Sequence, residues 1–126
     1  MTPIETATHT YFDAIRRLDA DAWVACFAPD AEVRDPADSP PRIGDQAHRD
    51  FFTGIAALFR ELDFRPERIF PRGPGAAVYF RARCLARNGR TIDLDGIDLI
   101  ELDNSGRIRR LAGYWDPAPL LVAAEG

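Results

Sequence analysis

Asn88-Gly89 divides two runs of alternating polarity, and this hairpin constrains the fold more than any other segment of the chain. An Asn-Gly pair between two such runs is a strong hairpin-turn signal. Before it, Ala76 to Leu85 puts Val78, Phe80, Ala82 and Cys84 on one face and Tyr79, Arg81 and Arg83 on the other. After it, Thr91 to Leu102 returns as a second strand. There Gly96, Asp98, Ile100 and Leu102 share one face, and Asp93, Asp95, Ile97 and Leu99 the other. Neither face of that strand is cleanly polar, so both are expected to be covered over part of their length. The turn Asp103-Asn104-Ser105-Gly106 leads to a last strand over Arg107 to Trp115, ended by Pro117 and Pro119. Upstream, Phe64 to Phe70 reads as a strand in which Pro66 demands a sheet edge or a bulge.

The first half of the chain reads as helical. Thr2-Pro3-Ile4-Glu5 has the pattern of a capping box with proline in the first turn. Ile4, Ala7, Tyr11, Ala14, Ile15 and Leu18 then recur at helical spacing, which puts Tyr11 on the buried face. Asp21 can cap a short second helix carrying Trp23, Cys26 and Phe27, and Glu32 to Asp35 reads as a short strand. Asp45 can cap a third helix whose apolar side carries Phe51, Phe52, Ile55, Leu58, Phe59 and Leu62. Helices segregated from a mostly antiparallel sheet describe an α+β fold. A strongly curved sheet with three helices of the N-terminal half across its open side would form a cone with an internal pocket.

The bulk properties narrow the function. The 126 residues suit one domain, 1–126. A net charge of −4 argues against general nucleic-acid binding. No apolar run approaches the roughly 20 residues of a membrane span, and the N-terminus lacks a signal-peptide pattern, so a cytoplasmic location is expected. Cys26 and Cys84 are expected to be reduced core residues. With no lysine in the chain, Schiff-base catalysis is excluded. His9 and His48 form no ligand pattern; both are read as surface residues, and no metal is expected.

Three residues could do proton chemistry. Asp35 ends a short strand and precedes the proline-rich loop of Pro36, Pro40 and Pro41, which suits a positioned general base, although Asp-Pro also simply starts turns. Asp98 shares its strand face with a glycine and two aliphatic residues. A carboxyl in such surroundings is costly to ionise and can act as a donor; a solvated or arginine-paired carboxylate is the alternative. Tyr11, buried on its helix, either serves a site or only seeks a hydrogen-bond partner.

The segment Phe27 to Gly44, FAPDAEVRDPADSPPRIG, followed by a helix bearing Phe51-Phe52, resembles the ketosteroid isomerase family. Tyr11 lies 24 residues before Asp35, as that family's catalytic tyrosine does before its base. Asp98 follows Ile97 and lies nine residues after Gly89, the family's spacing for its second aspartate. The ending SGRIRRLAGYW is similar to the family's last strand. The resemblance implies an NTF2-like (cystatin-like) cone. It also implies a cofactor-independent shift of a β,γ double bond into conjugation with a 3-ketone. Asp35 would carry the proton, while Tyr11 and protonated Asp98 would hold the dienolate oxygen. Phe27, Phe52, Phe80, Leu111 and Trp115 would contact a small apolar ketone or steroid. Phe52 departs from the family, which often has a tyrosine there supporting the catalytic one. The resemblance, with Leu99 and Tyr79 on the sheet's outer face, also implies a homodimer. Polyketide cyclases and non-catalytic ligand-binding domains share the fold, so a cyclase acting on another ketone, or a binding module, is the alternative.

Overall fold

A six-stranded mixed sheet, in the order β2-β1-β6-β5-β4-β3, carries the fold. The computed structural model describes the backbone of residues 1–125 and the side chains of residues 1–122. The elements run α1 (Pro3–Arg16), α2 (Ala20–Ala25), β1 (Phe27–Arg34), β2 (Arg42–Ile43), α3 (Asp45–Ala56), β3 (Phe59–Arg72), β4 (Gly75–Ala86), β5 (Thr91–Leu102), β6 (Ile108–Tyr114) and α4 (Ala118–Glu125). The α+β architecture agrees with expectation. To the three helices of the N-terminal half it adds a fourth, α4, that the prolines at 117 and 119 had concealed.

The hairpin forms as its alternation requires. Val78, Phe80, Ala82 and Cys84 are buried, while Arg81 and Arg83 point to solvent. Ladder pairing places Val78 opposite Asp98 and Phe80 opposite Gly96. On β5, Asp98, Ile100 and Leu102 face the core; Asp93, Asp95, Ile97 and Leu99 lie exposed in the single chain, contrary to the expected partial cover. β3 is an edge strand, and its register shifts between Pro66 and Arg68, so the proline meets both conditions placed on it.

Four boundaries move for tertiary reasons. β1 starts at Phe27 rather than Glu32, because the Ile108 amide donates to the Cys26 carbonyl and parallel pairing with β6 begins there. Asp19, not Asp21, caps α2 by accepting from the Ala22 amide at 3.0 Å. Asp21 instead pairs with Arg49 at 2.6 Å. Gly44 holds the cap position of α3 at φ 96°, a backbone region open to glycine, and Asp45 is the first helical residue. Phe59 and Leu62 belong to β3, opposite Ala86 and Cys84, where they bury without a helix.

α1 has the predicted capping box, with Thr2 and Glu5 bonding reciprocally. The helix lies across the inner face of the sheet, and Arg16 donates to the Phe64 carbonyl of β3 at 2.6 Å. An aromatic cluster fills the space under it. Trp23 stacks on Phe52 with ring centroids 5.1 Å apart, and Tyr11 meets Phe27 edge-on at 6.1 Å. His48, expected at the surface, is fully buried in this cluster. Its ring lies 5.0 Å from that of Phe27, and its Nε2 is 3.2 Å from the Arg42 carbonyl, which offers the ring a polar partner. Cys26 and Cys84 are free thiols.

Candidate functional site

Strand order brings Asp35 and Asp98 together. β1 runs parallel to β6 with Val33 opposite Leu111 and Arg34 opposite Ala112. One residue further, the Ala37 amide donates to the Gly113 carbonyl at 2.6 Å, which holds the chain after Asp35 against β6. Alternation along β1 buries Ala31 and Val33, exposes Arg34 and turns Asp35 inward. From the other side, β5 places Asp98 directly opposite Gly113. The Asp35–Pro36 peptide is cis.

Gly113 is the floor between the two carboxyls. A Cβ there would collide with Asp35 Oδ1 and lie 3.1 Å from Asp98 Oδ1 and 3.0 Å from Trp115 Nε1. Both carboxylate oxygens are therefore within 3.1 Å of one point, and their separation is bounded at twice that, about 6 Å. Gly96 makes a similar concession: a Cβ on it would come 2.7 Å from the Cβ of Trp115. Neither glycine was singled out as functional in the sequence, where each reads as an ordinary small residue on a strand.

The carboxyls differ in surroundings. Trp115 Nε1 donates to Asp35 Oδ1 at 2.5 Å. Arg42 donates to the Asp35 carbonyl at 3.3 Å, and its guanidinium lies 4.1 Å from the ring centre of Phe51. Burial raises the Asp35 pKa from 3.8 to about 6, while the Trp115 hydrogen bond and the Arg42 charge restrain the rise. Asp98 is 4% exposed and has no such donor. Burial first, and then the nearby Asp35 charge, push its pKa well above the ordinary carboxylate value. Burial likewise raises Tyr11 well above 10, with the Asp35 charge adding to it, so its phenol stays an O–H donor.

Tyr11, Asp35 and Asp98 line one cavity together with Phe52, Phe80 and Trp115. The two other expected contact residues stand apart from its lining. Phe27 lies behind Tyr11 and Trp23, and Leu111 is buried in the core on β6. Residues that the pattern reading passed over complete the wall, among them Ile55, Leu62, Phe64 and Leu120. Ile55 and Leu62 read only as apolar helix positions and Phe64 as the start of a strand, and Leu120 follows two prolines that suggested an end to structure. The cavity holds about 50 Å³ of open volume. Among the described residues, no cluster of three or more His, Cys, Asp or Glu could hold a metal ion. No described helix is long and apolar enough to cross a membrane.

Comparison with known proteins adds sequence and fold relationships. A family model described as a SnoaL-like domain matches residues 8–111. A curated steroid Δ-isomerase of Nocardioides simplex is 25% identical over 119 residues, which is 94% of each chain. The crystal structure of a Δ5-3-ketosteroid isomerase from Mycobacterium sp. superposes with a TM-score of 0.83 at 23% identity, covering 94% of this chain and 96% of that one. An epoxide hydrolase/cyclase-like enzyme of pyran ring formation in polyether salinomycin superposes with a TM-score of 0.80 at 24% identity, covering 90% and 91%. At such identities the two superpositions establish the fold, an NTF2-like cone.

Proposed function

The chain belongs to the SnoaL-like domain family, and on that premise we propose that it is a cofactor-independent isomerase of β,γ-unsaturated ketones, with a 3-oxosteroid as substrate. One observation carries the reading. Two carboxyls flank Gly113 and line an apolar cavity, and their surroundings favour opposite protonation states. With its pKa near 6, Asp35 is mostly ionised at neutral pH and can accept a proton. Asp98, pushed much higher, stays protonated and donates.

The steps follow from these states. Asp35 removes a proton from the carbon between the ketone and the double bond. The electron pair delocalises onto the ketone oxygen, giving a dienolate. The Tyr11 hydroxyl and the Asp98 carboxyl donate hydrogen bonds to that oxygen. Asp35 then returns its proton to the γ-carbon, and the double bond stands in conjugation. The net change is one proton moved within one molecule, so no oxidant or cofactor enters the balance. Trp115 keeps the Asp35 carboxylate oriented and forms part of the apolar wall.

The relative from Nocardioides simplex supports the steroid substrate. A cyclase on a smaller ketone is the second reading, favoured by the small cavity volume. The test is turnover of 5-androstene-3,17-dione, followed as growth of enone absorbance. Asp35→Asn should lower kcat by about 10²-fold or more. Undiminished turnover in that variant would remove Asp35 as the base. No turnover and no binding of the phenolic dienolate analogue equilenin by the unmutated protein would shift the reading to the cyclase.

We also propose a homodimer through the outer face of the sheet. Ile97 and Leu99, each 44% exposed, and Tyr114, 56% exposed, form an apolar centre there. Cross-strand pairs Arg81–Asp95 and Arg83–Asp93 flank it with alternating charge that a two-fold copy can match. Light scattering should give twice the 14.1 kDa chain mass, and Leu99→Arg should halve it. A monomer in the unmutated protein would refute this assembly.

A further inference from the structure

We infer that Leu120, carried by the C-terminal helix α4, is a displaceable wall of the cavity and sets how large a ketone can enter. The substrate half of this inference rests on the ketone-site reading above; the wall half does not.

The mismatch of volumes comes first. Pockets for ligands of steroid size hold about 300–1,000 Å³, while this cavity holds about 50 Å³. A four-ring ketone can reach Asp35 only if part of the wall moves. The walls differ in how firmly they are held. β4, β5 and β6 are joined by antiparallel ladders, so moving any of them breaks many hydrogen bonds. α1 is tied to β3 by Arg16, and Phe52 of α3 is stacked on Trp23.

α4 has much less attachment. It leaves β6 through the short link Trp115-Asp116-Pro117, and Asp116 accepts from the Ala118 amide at its start. Leu121 and Val122 are 57% and 58% exposed, whereas Leu120 is 6% exposed and lines the cavity. Among the described residues, one exposed hydrogen bond, from Arg90 to the Val122 carbonyl at 3.3 Å, holds the outer side. An eight-residue helix has little stability alone. Among its described side chains Leu120 alone is buried, so the docking of α4 leans on that side chain. Segments with few buried apolar contacts open at low free energy, as substrate gates must.

A closed gate lowers apparent affinity by the fraction of molecules that are open. Shortening Leu120 both clears space and loosens the helix. Leu120→Ala should therefore bind equilenin at least tenfold more tightly, read from quenching of Trp23 and Trp115, which line the cavity. Leu120→Met, which keeps the bulk, should stay within about twofold of the unmutated protein. A ligand-independent arm uses benzene: it should raise the melting temperature of Leu120→Ala and leave that of the unmutated protein unchanged, because a dry apolar cavity accepts it. In the unmutated protein, hydrogen exchange of the α4 amides should be at least a hundredfold faster than that of β5, and equilenin should change it. If Leu120→Ala takes up benzene while no form binds equilenin, the wall stands and the steroid reading falls. If benzene does not bind and equilenin affinity is unchanged, Leu120 is not the wall. Exchange in α4 as slow as in β5 would also overturn the gate, even if Leu120→Ala failed to fold.

Discussion

Asp35→Asn should slow proton transfer by about 10²-fold or more and yet make the protein more stable at neutral pH. Raising the Asp35 pKa from 3.8 to about 6 means that folding opposes ionisation by about 3 kcal/mol, at about 1.4 kcal/mol per unit. The amide removes that penalty. Its oxygen can still accept from Trp115 Nε1, but its NH₂ gains no evident acceptor, a loss of about 1 kcal/mol. The net gain at pH 7 is then about 2 kcal/mol, or about 8 °C in Tm for a domain of this size. The sign depends on pH. Below pH 4 both the folded and the unfolded carboxyl are protonated, the penalty is absent, and the variant should be less stable by about 1 kcal/mol. Between pH 4 and 6 the unfolded chain releases its proton while the folded chain keeps it, so the stability of the unmutated protein falls with rising pH. Above pH 6 the difference is constant. Urea denaturation of both proteins from pH 4 to pH 8 should show the two midpoint curves crossing. A variant less stable by the same amount at every pH would refute the claim that this carboxylate is held in its charged state at a cost.

The same pKa predicts that kcat/KM rises with pH to a plateau, with an apparent value of about 6 that belongs to the Asp35–Asp98 pair; a flat profile between pH 5 and 7 would contradict it. Trp115→Phe removes a hydrogen bond that lowers this pKa, so the inflection should move to higher pH. Tyr11→Phe and Asp98→Leu should each lower kcat by about 10²-fold. Each should also weaken equilenin binding, and unchanged binding in both would end their assignment to the dienolate oxygen. Gly113→Ala should lose about 10²-fold in kcat, because the new methyl displaces the Asp35 carboxyl from its place beside Trp115.

The parts of the fold legible in the sequence were those set by local rules. The Thr2–Glu5 capping box, the Asn88-Gly89 hairpin and the alternation of β4 depend on residues close in sequence, and all three appear in the structure. Where a partner distant in sequence decided, the reading moved. Phe59 looks helical beside Ile55, but β4 claims it for a ladder. His48 looks exposed among charged neighbours, but the Arg42 carbonyl accepts it into an aromatic cluster. α4 was hidden because Pro117 and Pro119 are as compatible with a helix start as with an end to structure.

The candidate site divides along the same line. Tyr11, Asp35 and Asp98 could be named because each bears chemistry of its own. Gly113 could not, because its contribution is the absence of a side chain at the point where two carboxyls meet. That contribution exists only because β1 and β6 pair in parallel while β5 and β6 pair antiparallel, so that residues 35, 98 and 113 reach the same level of the sheet. The inequality between the carboxyls has a similar origin. Trp115 lies two residues beyond Gly113 on the same face and can therefore donate to Asp35, whereas Asp98 is enclosed by Val78 on one side and Gly113 on the other, neither offering a side-chain donor. Strand order thus creates the difference in ionisation on which the proposed proton transfer depends. A substitution that leaves all three chemical residues in place, such as Gly113→Ala, should disable the site by disturbing that arrangement alone.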